Sequence, residues 1–112
     1  MGLNDRITRK ARENLEGQVM PGETVVLSAN LAASAMVLTD RRLMIAPALA
    51  GSEPDMSVPL RNVQNVAWKK GLLGSPGSLV VTTAGTVHAY KVKNAQGEAA
   101  ALRIRQAIAS AQ

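Results

Sequence analysis

Two apolar runs that meet across a short polar segment constrain the fold of this chain more than any other feature. Residues 35–38 and 43–46 are apolar throughout, and Thr39, Asp40, Arg41 and Arg42 lie between them. These few residues leave room only for a turn. The segment therefore predicts a β-hairpin. Thr39 and Asp40 suit that turn because their side chains can hydrogen-bond nearby backbone amides. We expect Arg41 and Arg42 to keep the turn in water.

Length and cysteine content set the class of protein. A chain of 112 residues is large enough for one core and too small for two. It has no cysteine, which excludes a disulfide scaffold, a thiolate metal site and a cysteine nucleophile. Charged residues interrupt the N-terminal segment 3–15, so it lacks the pattern of a signal peptide. No apolar run approaches the ~20 residues that span a bilayer, and we predict a cytoplasmic protein.

Both ends of the chain have helical periodicity. Ile7, Ala11 and Leu15 recur every four residues within 4–16, and Gly17 follows. We predict that residues 1–17 form an amphipathic helix, which packs on the domain or on a second copy, and that residues 18–112 form the domain itself. Residues 94–112 predict a second helix whose apolar face carries Ala101, Ile104, Ile108 and Ala111 and is broadened by Leu102, and Asn94 is a candidate cap. This second helix should cover one open end of a sheet.

The central segment has strand periodicity. Seven short strands are predicted, at residues 24–27, 34–38, 43–46, 56–60, 63–69, 78–83 and 86–92. Pro59 cannot donate to a ladder, so the fourth strand should be short or lie at an edge. Ala84 and Gly85 should form a two-residue turn. The spacing of these strands is typical of an antiparallel sandwich or barrel.

The order of several motifs indicates a family. After Gly22-Glu23 and the Thr-Asp-Arg-Arg hairpin come Val58-Pro59-Leu60-x-x-Val63, Gly71-Leu72-Leu73-Gly74, the strand 79–83 and the C-terminal helix. From about residue 18 to 111 this succession resembles bacterial pleckstrin-homology-like (PH-like) domains, which are allied to GRAM domains. The resemblance implies a mainly β fold, a seven-stranded antiparallel bent sheet or barrel capped by a C-terminal α-helix, with the N-terminal helix as an addition. It also implies a non-catalytic platform that binds proteins or, in some branches, phosphoinositides, and some bacterial members assemble into rings.

One departure from lipid-binding relatives concerns phosphate recognition. Phosphoinositide-binding PH domains place Lys and Arg in the loop between the first two strands. The corresponding segment here, residues 28–34, carries no charge. A phosphate requires paired donors and positive potential, so the standard phosphoinositide function is not carried over.

The candidate binding residues lie in the basic middle of the chain. Seven Lys and Arg against Glu53 and Asp55 give residues 41–93 a charge of 7 − 2 = +5, which invites an anionic partner. The candidates are Trp68, Lys69, Lys70, Leu72 and Leu73, with Arg41 and Arg42. A membrane-touching loop or a protein-binding hot spot would use this mixture. In a third interpretation, the two leucines tuck under the rim of the barrel and the tryptophan fills the core.

Other chemistry is poorly represented. His88 is the only histidine and shares a strand face with Tyr90, which favours a structural role. We predict no enzyme, no cofactor, no metal and no small-molecule substrate. One Trp, one Tyr and no Phe argue against single-stranded nucleic acid, which is recognised by stacking. The leading prediction is a module that binds a protein partner or itself, and the alternative is a module that binds anionic membrane lipid through Arg41, Arg42, Lys69 and Lys70.

Overall fold

The computed structural model describes residues 3–32, 34–47 and 56–111. Seven strands lie between two helices in this part of the chain. In chain order the elements are α1 (Leu3–Glu16), β1 (Val25–Asn30), β2 (Ser34–Thr39), β3 (Arg42–Pro47), β4 (Met56–Pro59), β5 (Val63–Lys69), β6 (Gly77–Thr83), β7 (Thr86–Val92) and α2 (Asn94–Ala111), with a 3₁₀ turn (Leu60–Asn62) between β4 and β5. The predicted mainly β fold with a helix at each end is confirmed.

The strands form two antiparallel sheets, one in the order β1-β2-β3-β4 and the other in the order β5-β6-β7. Among the described strands no ladder joins the two sheets, so the prediction of a closed barrel is wrong. Helix α2 bridges the two sheets, because its arginines bond strand carbonyls on both of them. The Arg103 guanidinium donates to the Val26 carbonyl of β1 at 2.9 Å, and Arg105 Nε donates to the Val66 carbonyl of β5 at 3.2 Å.

The hairpin of β2 and β3 is buried on both faces. Met36 and Leu38 lie in the main core, whereas Val37 and Met44 face the other way and pack with Ala11 and Leu15 of α1. Continuous apolar runs are typical of strands that are covered on both sides, and the runs at 35–38 and 43–46 have this cause. The N-terminal helix therefore packs on the domain, which is one of the two predicted arrangements.

Strand β1 extends three residues beyond its predicted end at Leu27. Ser28, Ala29 and Asn30 pair with β2, although the predicted loop after β1 includes all three. Ser28 Oγ donates to Glu16 Oε2 of α1 at 2.7 Å, so this polar strand residue has a partner on the covering helix. The connection from β1 to β2 is consequently shorter than the predicted segment 28–34.

Two local predictions are confirmed. Strand β4 has only four residues and lies at the edge of its sheet, where Pro59 costs no ladder bond. Ala84 and Gly85 connect β6 to β7 with φ angles of 35° and 83°. Positive φ at both central residues is the geometry of a tight hairpin turn, which glycine adopts easily and alanine adopts under strain.

Helix α2 covers the core between the two sheets. Ala101 and Ile104 are 1% and 0% exposed and belong to the same core cluster as Leu79 and Val81 of β6. The predicted apolar face is confirmed for Ala101 and Ile104, and Ile108 is partly buried at its edge. Leu102 and Ala111, predicted on the same face, are exposed.

Candidate functional site

The loop between β5 and β6 presents two leucines to solvent. Leu72 is 80% exposed and Leu73 is 105% exposed. The interpretation in which both side chains tuck under the rim is therefore wrong. We call Leu72 and Leu73 the leucine tip.

Hydrogen bonds hold this loop in shape. Asn94, the first residue of α2, accepts from the Gly71 amide at 3.1 Å, and its Nδ2 donates to the Ser75 carbonyl at 3.4 Å. The Ser75 amide also donates to the Leu72 carbonyl at 3.0 Å. Asn94 therefore braces the loop and does not cap the helix as predicted, since the Lys93 carbonyl accepts the first helical bonds, from the amides of residues 96 and 97.

The backbone of the tip is strained. Leu73 has a φ of 53°, in the left-handed region, and the next residue, Gly74, has a φ of 81°. A left-handed conformation costs a residue with a Cβ roughly 1–2 kcal/mol, whereas glycine adopts it freely. Strain of this kind clusters at ligand clamps and binding loops, so it marks Leu73 as a residue to test for function.

Trp68 lies beneath the loop. It is partly buried and packs against the core, as the packing interpretation predicted. Its ring fits against Gly77 of β6 and Gly97 of α2, where an added Cβ would overlap the ring at either position. Trp68 thus supports the base of the loop, and the leucines project beyond it.

Exposed lysines flank the loop that carries the leucine tip. Lys69 and Lys70 are exposed, as predicted, and so are Lys91 and Lys93. The register places Lys69 opposite Ser78 and Ser78 opposite Lys91, so two lysines share one row of the second sheet, with their backbones about 10 Å apart. Sequence reasoning missed Lys91 and Lys93 as site residues because only the strand register could have found them.

Arg41 lies at the opposite end of the molecule from the leucine tip. It lines a cleft of about 240 Å³ with Asp40, Arg61 and Ala111, at the C-terminal end of α2. The loop that carries the tip contacts Asn94, at the N-terminal end of the same helix, and 18 helical residues span about 27 Å. The structure therefore does not bring the predicted arginines and lysines together on one surface.

Arg42 is engaged within the protein. Its Nε and guanidinium nitrogen donate to the two carboxylate oxygens of Glu23 at 2.9 and 3.1 Å, and the guanidinium also donates to the Gln18 carbonyl. The expectation that Arg42 keeps the turn in water is therefore wrong. Thr39 and Asp40 do bond nearby amides: Thr39 Oγ1 accepts from Arg41 and Arg42 at 3.1 and 3.0 Å, and Asp40 Oδ1 accepts from Thr24 at 3.0 Å.

Glu23 is the centre of this network, and sequence reasoning did not single it out as a buried charge. Its side chain is 2% exposed, and it also accepts from Thr39 Oγ1 at 2.6 Å and from the Met20 amide at 2.9 Å. Burial raises the pKa of the carboxyl, but hydrogen bonds from Arg42, Met20 and Thr39 outweigh burial and lower the pKa to about 2. The sequence signal that could have drawn attention to Glu23 was the Gly22-Glu23 motif. Gly22 has a φ of 86°, and it turns the chain into β1.

The remaining polar candidates are His88 and the pair Glu53 and Asp55. His88 stacks on Tyr90 with ring centroids 6.4 Å apart, and His88 Nε2 lies 3.4 Å from Thr83 Oγ1. The described residues contain no group of three or more His, Cys, Asp or Glu that could hold a metal ion. Glu53 and Asp55 lie outside the described residues. Neither helix in the described part of the chain is long and apolar enough to cross a membrane.

Comparisons with known proteins find their matches among solved structures. No protein-family model and no curated protein matches the chain. A PH-domain-containing bacterial protein from Exiguobacterium sibiricum is 15% identical with a TM-score of 0.62, over 86% of this chain and 54% of that one. A pleckstrin homology domain from Shewanella amazonensis is 14% identical with a TM-score of 0.61, over 94% of this chain and 88% of that one.

A third structure matches along its whole length. It is a DUF1696 family protein with a pleckstrin-homology domain from Shewanella loihica, 13% identical with a TM-score of 0.59 over 100% of both chains. At this identity the likeness concerns the fold. PH-like domains are generally non-catalytic binding modules for proteins or lipids. This chain has the PH-like fold.

Proposed function

We propose that this protein is a non-catalytic binding module whose leucine tip engages a protein partner or a second copy of the chain. The observation that carries the proposal is the display of Leu72 and Leu73, 80% and 105% exposed, on a loop that Asn94 braces. Contiguous exposed apolar side chains are typical of interaction surfaces. Trp68 supports the base of the loop, and this support strengthens the proposal because a preformed loop loses little conformational freedom on binding.

The tip can supply substantial binding energy for its size. Complete burial of a leucine side chain contributes about 1.5–3 kcal/mol, so the pair offers about 3–6 kcal/mol before the costs of association. This free energy can decide whether a small interface is stable, although it does not by itself stabilise a large interface. A partner should therefore bring an apolar pocket and further contacts around it.

An anionic membrane surface is the second candidate, favoured by the exposed lysines 69, 70, 91 and 93. Each lysine near an anionic surface contributes about 1 kcal/mol, and the leucines would enter the acyl boundary. The arginines of the predicted set contribute less to this arrangement. Arg41 lies at the other end of α2, and Arg42 is paired with Glu23.

The test replaces the tip and leaves the core intact. The double variant Leu72→Ser with Leu73→Ser is compared with Leu102→Ser, which changes a leucine that is 50% exposed on α2. Light scattering gives the mass of each protein against the 11.8 kDa of one chain. Cosedimentation with phosphatidylserine vesicles at low and high salt tests the membrane candidate, and emission from the single tryptophan, beneath the loop, reports contact.

The proposal expects self-association of the parent to fall in the double variant and to persist in Leu102→Ser, whereas the membrane candidate expects the same pattern in vesicle binding. Loss in vesicle binding alone would select the membrane candidate. Two results contradict the proposal: association that is unchanged in the double variant, or a double variant that melts far below the parent. The second result would mean that the leucines serve the fold.

A further inference from the structure

A groove runs between β1 and α2, away from the leucine tip. Its first part has a volume of about 340 Å³ and is lined by Leu27, Ala29 and Leu31 on the strand and by Gln96, Ala99, Ala100 and Arg103 on the helix. A second part of about 410 Å³ continues past Arg103 to Gln106, Ala107 and Ser110, with Val26 and Asp40 opposite. From residue 96 to residue 110 the helix rises about 21 Å, which equals about six residues of extended chain.

The edge of β1 along this groove has unused main-chain groups. Among the described strands β1 pairs only with β2. The Leu31 amide donates toward β2, to Ser34 at 2.7 Å, and the Ala32 amide donates away from it, to Lys91 at 3.2 Å. Because main-chain groups alternate along a strand, those of Ser28 and Asn30 point away from β2 as well. No backbone hydrogen bond among the described residues uses them on that side.

Small side chains keep the groove open on the helix side. Ala99, Ala100 and Ala107 line it, whereas the larger Ile104 turns into the core. Helix α2 packs mainly on β5, β6 and the 3₁₀ turn, and its small side chains leave the groove beside β1.

Arg103 crosses the middle of the groove. Its guanidinium donates to the Val26 carbonyl at 2.9 Å, and among the described residues it has no carboxylate partner. Arginine carries five donors in a planar fork that fits a carboxylate, so further donors remain for an incoming acidic group. The groove thus combines an open strand edge, an apolar floor and the Arg103 cation, with the Asp40 carboxylate lining its second part.

We infer that this groove binds an extended peptide segment of a partner protein, which adds to β1 as a strand. Hydrogen bonds to Ser28 and Asn30 would supply affinity, as in other cases of strand addition to a sheet edge. Small or medium apolar side chains of the segment lie over Ala99 and Ala100, and an acidic side chain meets Arg103. This site is separate from the leucine tip and does not depend on it.

The test uses the full chain, labelled with ¹⁵N, and a pool of capped seven-residue peptides. Positions two and six carry Ala, Val or Leu, position four carries Asp or Glu, and the others carry Thr. At about 2 mM peptide, amide shifts should concentrate at Ser28, Asn30, Ala99 and Ala100. N-methylation of alternate peptide amides should abolish the shifts in one set and spare them in the set offset by one residue, because a strand bonds through every second residue.

Matched variants test the groove itself. Ala99→Leu fills the groove and should weaken binding at least about tenfold, whereas Ala109→Leu, the same change at an exposed position of α2, should not. Arg103→Gln should lower the preference for acidic peptides over their amide counterparts about tenfold. The double variant of the leucine tip should bind the pool as the parent does.

Three results overturn the inference: no shifts with the pool, equal effects of both methylation sets, or equal effects of Ala99→Leu and Ala109→Leu. Shifts confined to residues 72 and 73 would also overturn it, and would favour the leucine tip as the peptide site instead.

Discussion

The buried carboxylate of Glu23 makes the folded state sensitive to acid. The perturbation is Glu23→Gln, which keeps the shape of the side chain and removes its charge. In the native protein the carboxylate accepts from Arg42, Thr39 and the Met20 amide, and its side chain is 2% exposed. Removal of one partner from a buried ion pair typically costs about 3–5 kcal/mol because the other charge stays buried.

The pKa shift that the same hydrogen bonds cause gives the dependence on pH. Folding lowers the pKa of Glu23 from 4.5 to about 2, which corresponds to about 3 kcal/mol of stability at neutral pH. Because the folded-state pKa is the lower one, this contribution is complete above the unfolded pKa and is lost as the pH falls from about 4.5 toward 2. By pH 3 about 2 kcal/mol of it should be gone.

Urea denaturation at a series of pH values between 7 and 3 measures this effect. The parent should lose stability more steeply below pH 4.5 than Glu23→Gln, and the difference between them should shrink from about 3 kcal/mol toward 1 kcal/mol. Glu13→Gln is the control, since the Glu13–Arg9 pair is 3.9 Å apart and exposed and should contribute under about 0.5 kcal/mol. Parallel curves for the parent and Glu23→Gln across this pH range would refute the reasoning.

Three further substitutions test other parts of the fold by denaturation. Ile104→Ala should lower the free energy of unfolding by about 2–5 kcal/mol, because this side chain of α2 is fully buried in the core. A loss below about 1 kcal/mol would contradict the docked helix. Gly97→Ala should destabilise the protein and change the tryptophan emission spectrum, since the new Cβ overlaps the Trp68 ring; unchanged emission would place the ring elsewhere. Ala84→Gly should stabilise the protein or leave it unchanged, because a residue with a φ of 35° loses its strain; a clear destabilisation would refute the positive φ.

Local patterns predicted the elements well because their causes are local. The runs at 35–38 and 43–46 indicated the central hairpin, and Pro59 indicated the edge strand, since an amide missing from the ladder is a property of one residue. The end of β1 was harder to predict. Ser28 and Asn30 are polar because they face α1, and a partner 12 residues away from Ser28 leaves no signal in a short window.

The candidate site could be predicted only in part, for a related reason. The glycines in residues 71–77 indicated a loop that contains Leu72 and Leu73. The exposure of these two leucines depends on Asn94, more than 20 residues further along the chain. Arg42 looked like a solvated turn residue because Glu23, its partner, lies 19 residues before it. The open groove between β1 and α2 results from the way the helix packs between the two sheets. The spacing of apolar residues within a strand or a helix does not reveal such packing.

The central claim is that the leucine tip contacts another molecule, and site-specific photo-crosslinking in the native cell tests it most directly. A photoreactive phenylalanine replaces Leu73, which is 105% exposed, and in a matched control it replaces Leu102, which is 50% exposed. The proposal predicts a discrete protein adduct from position 73, whether a dimer of this chain or a second protein, and no such adduct from position 102. Absence of an adduct at position 73, or the same adducts from both positions, would contradict the assignment of the tip as the protein-binding site.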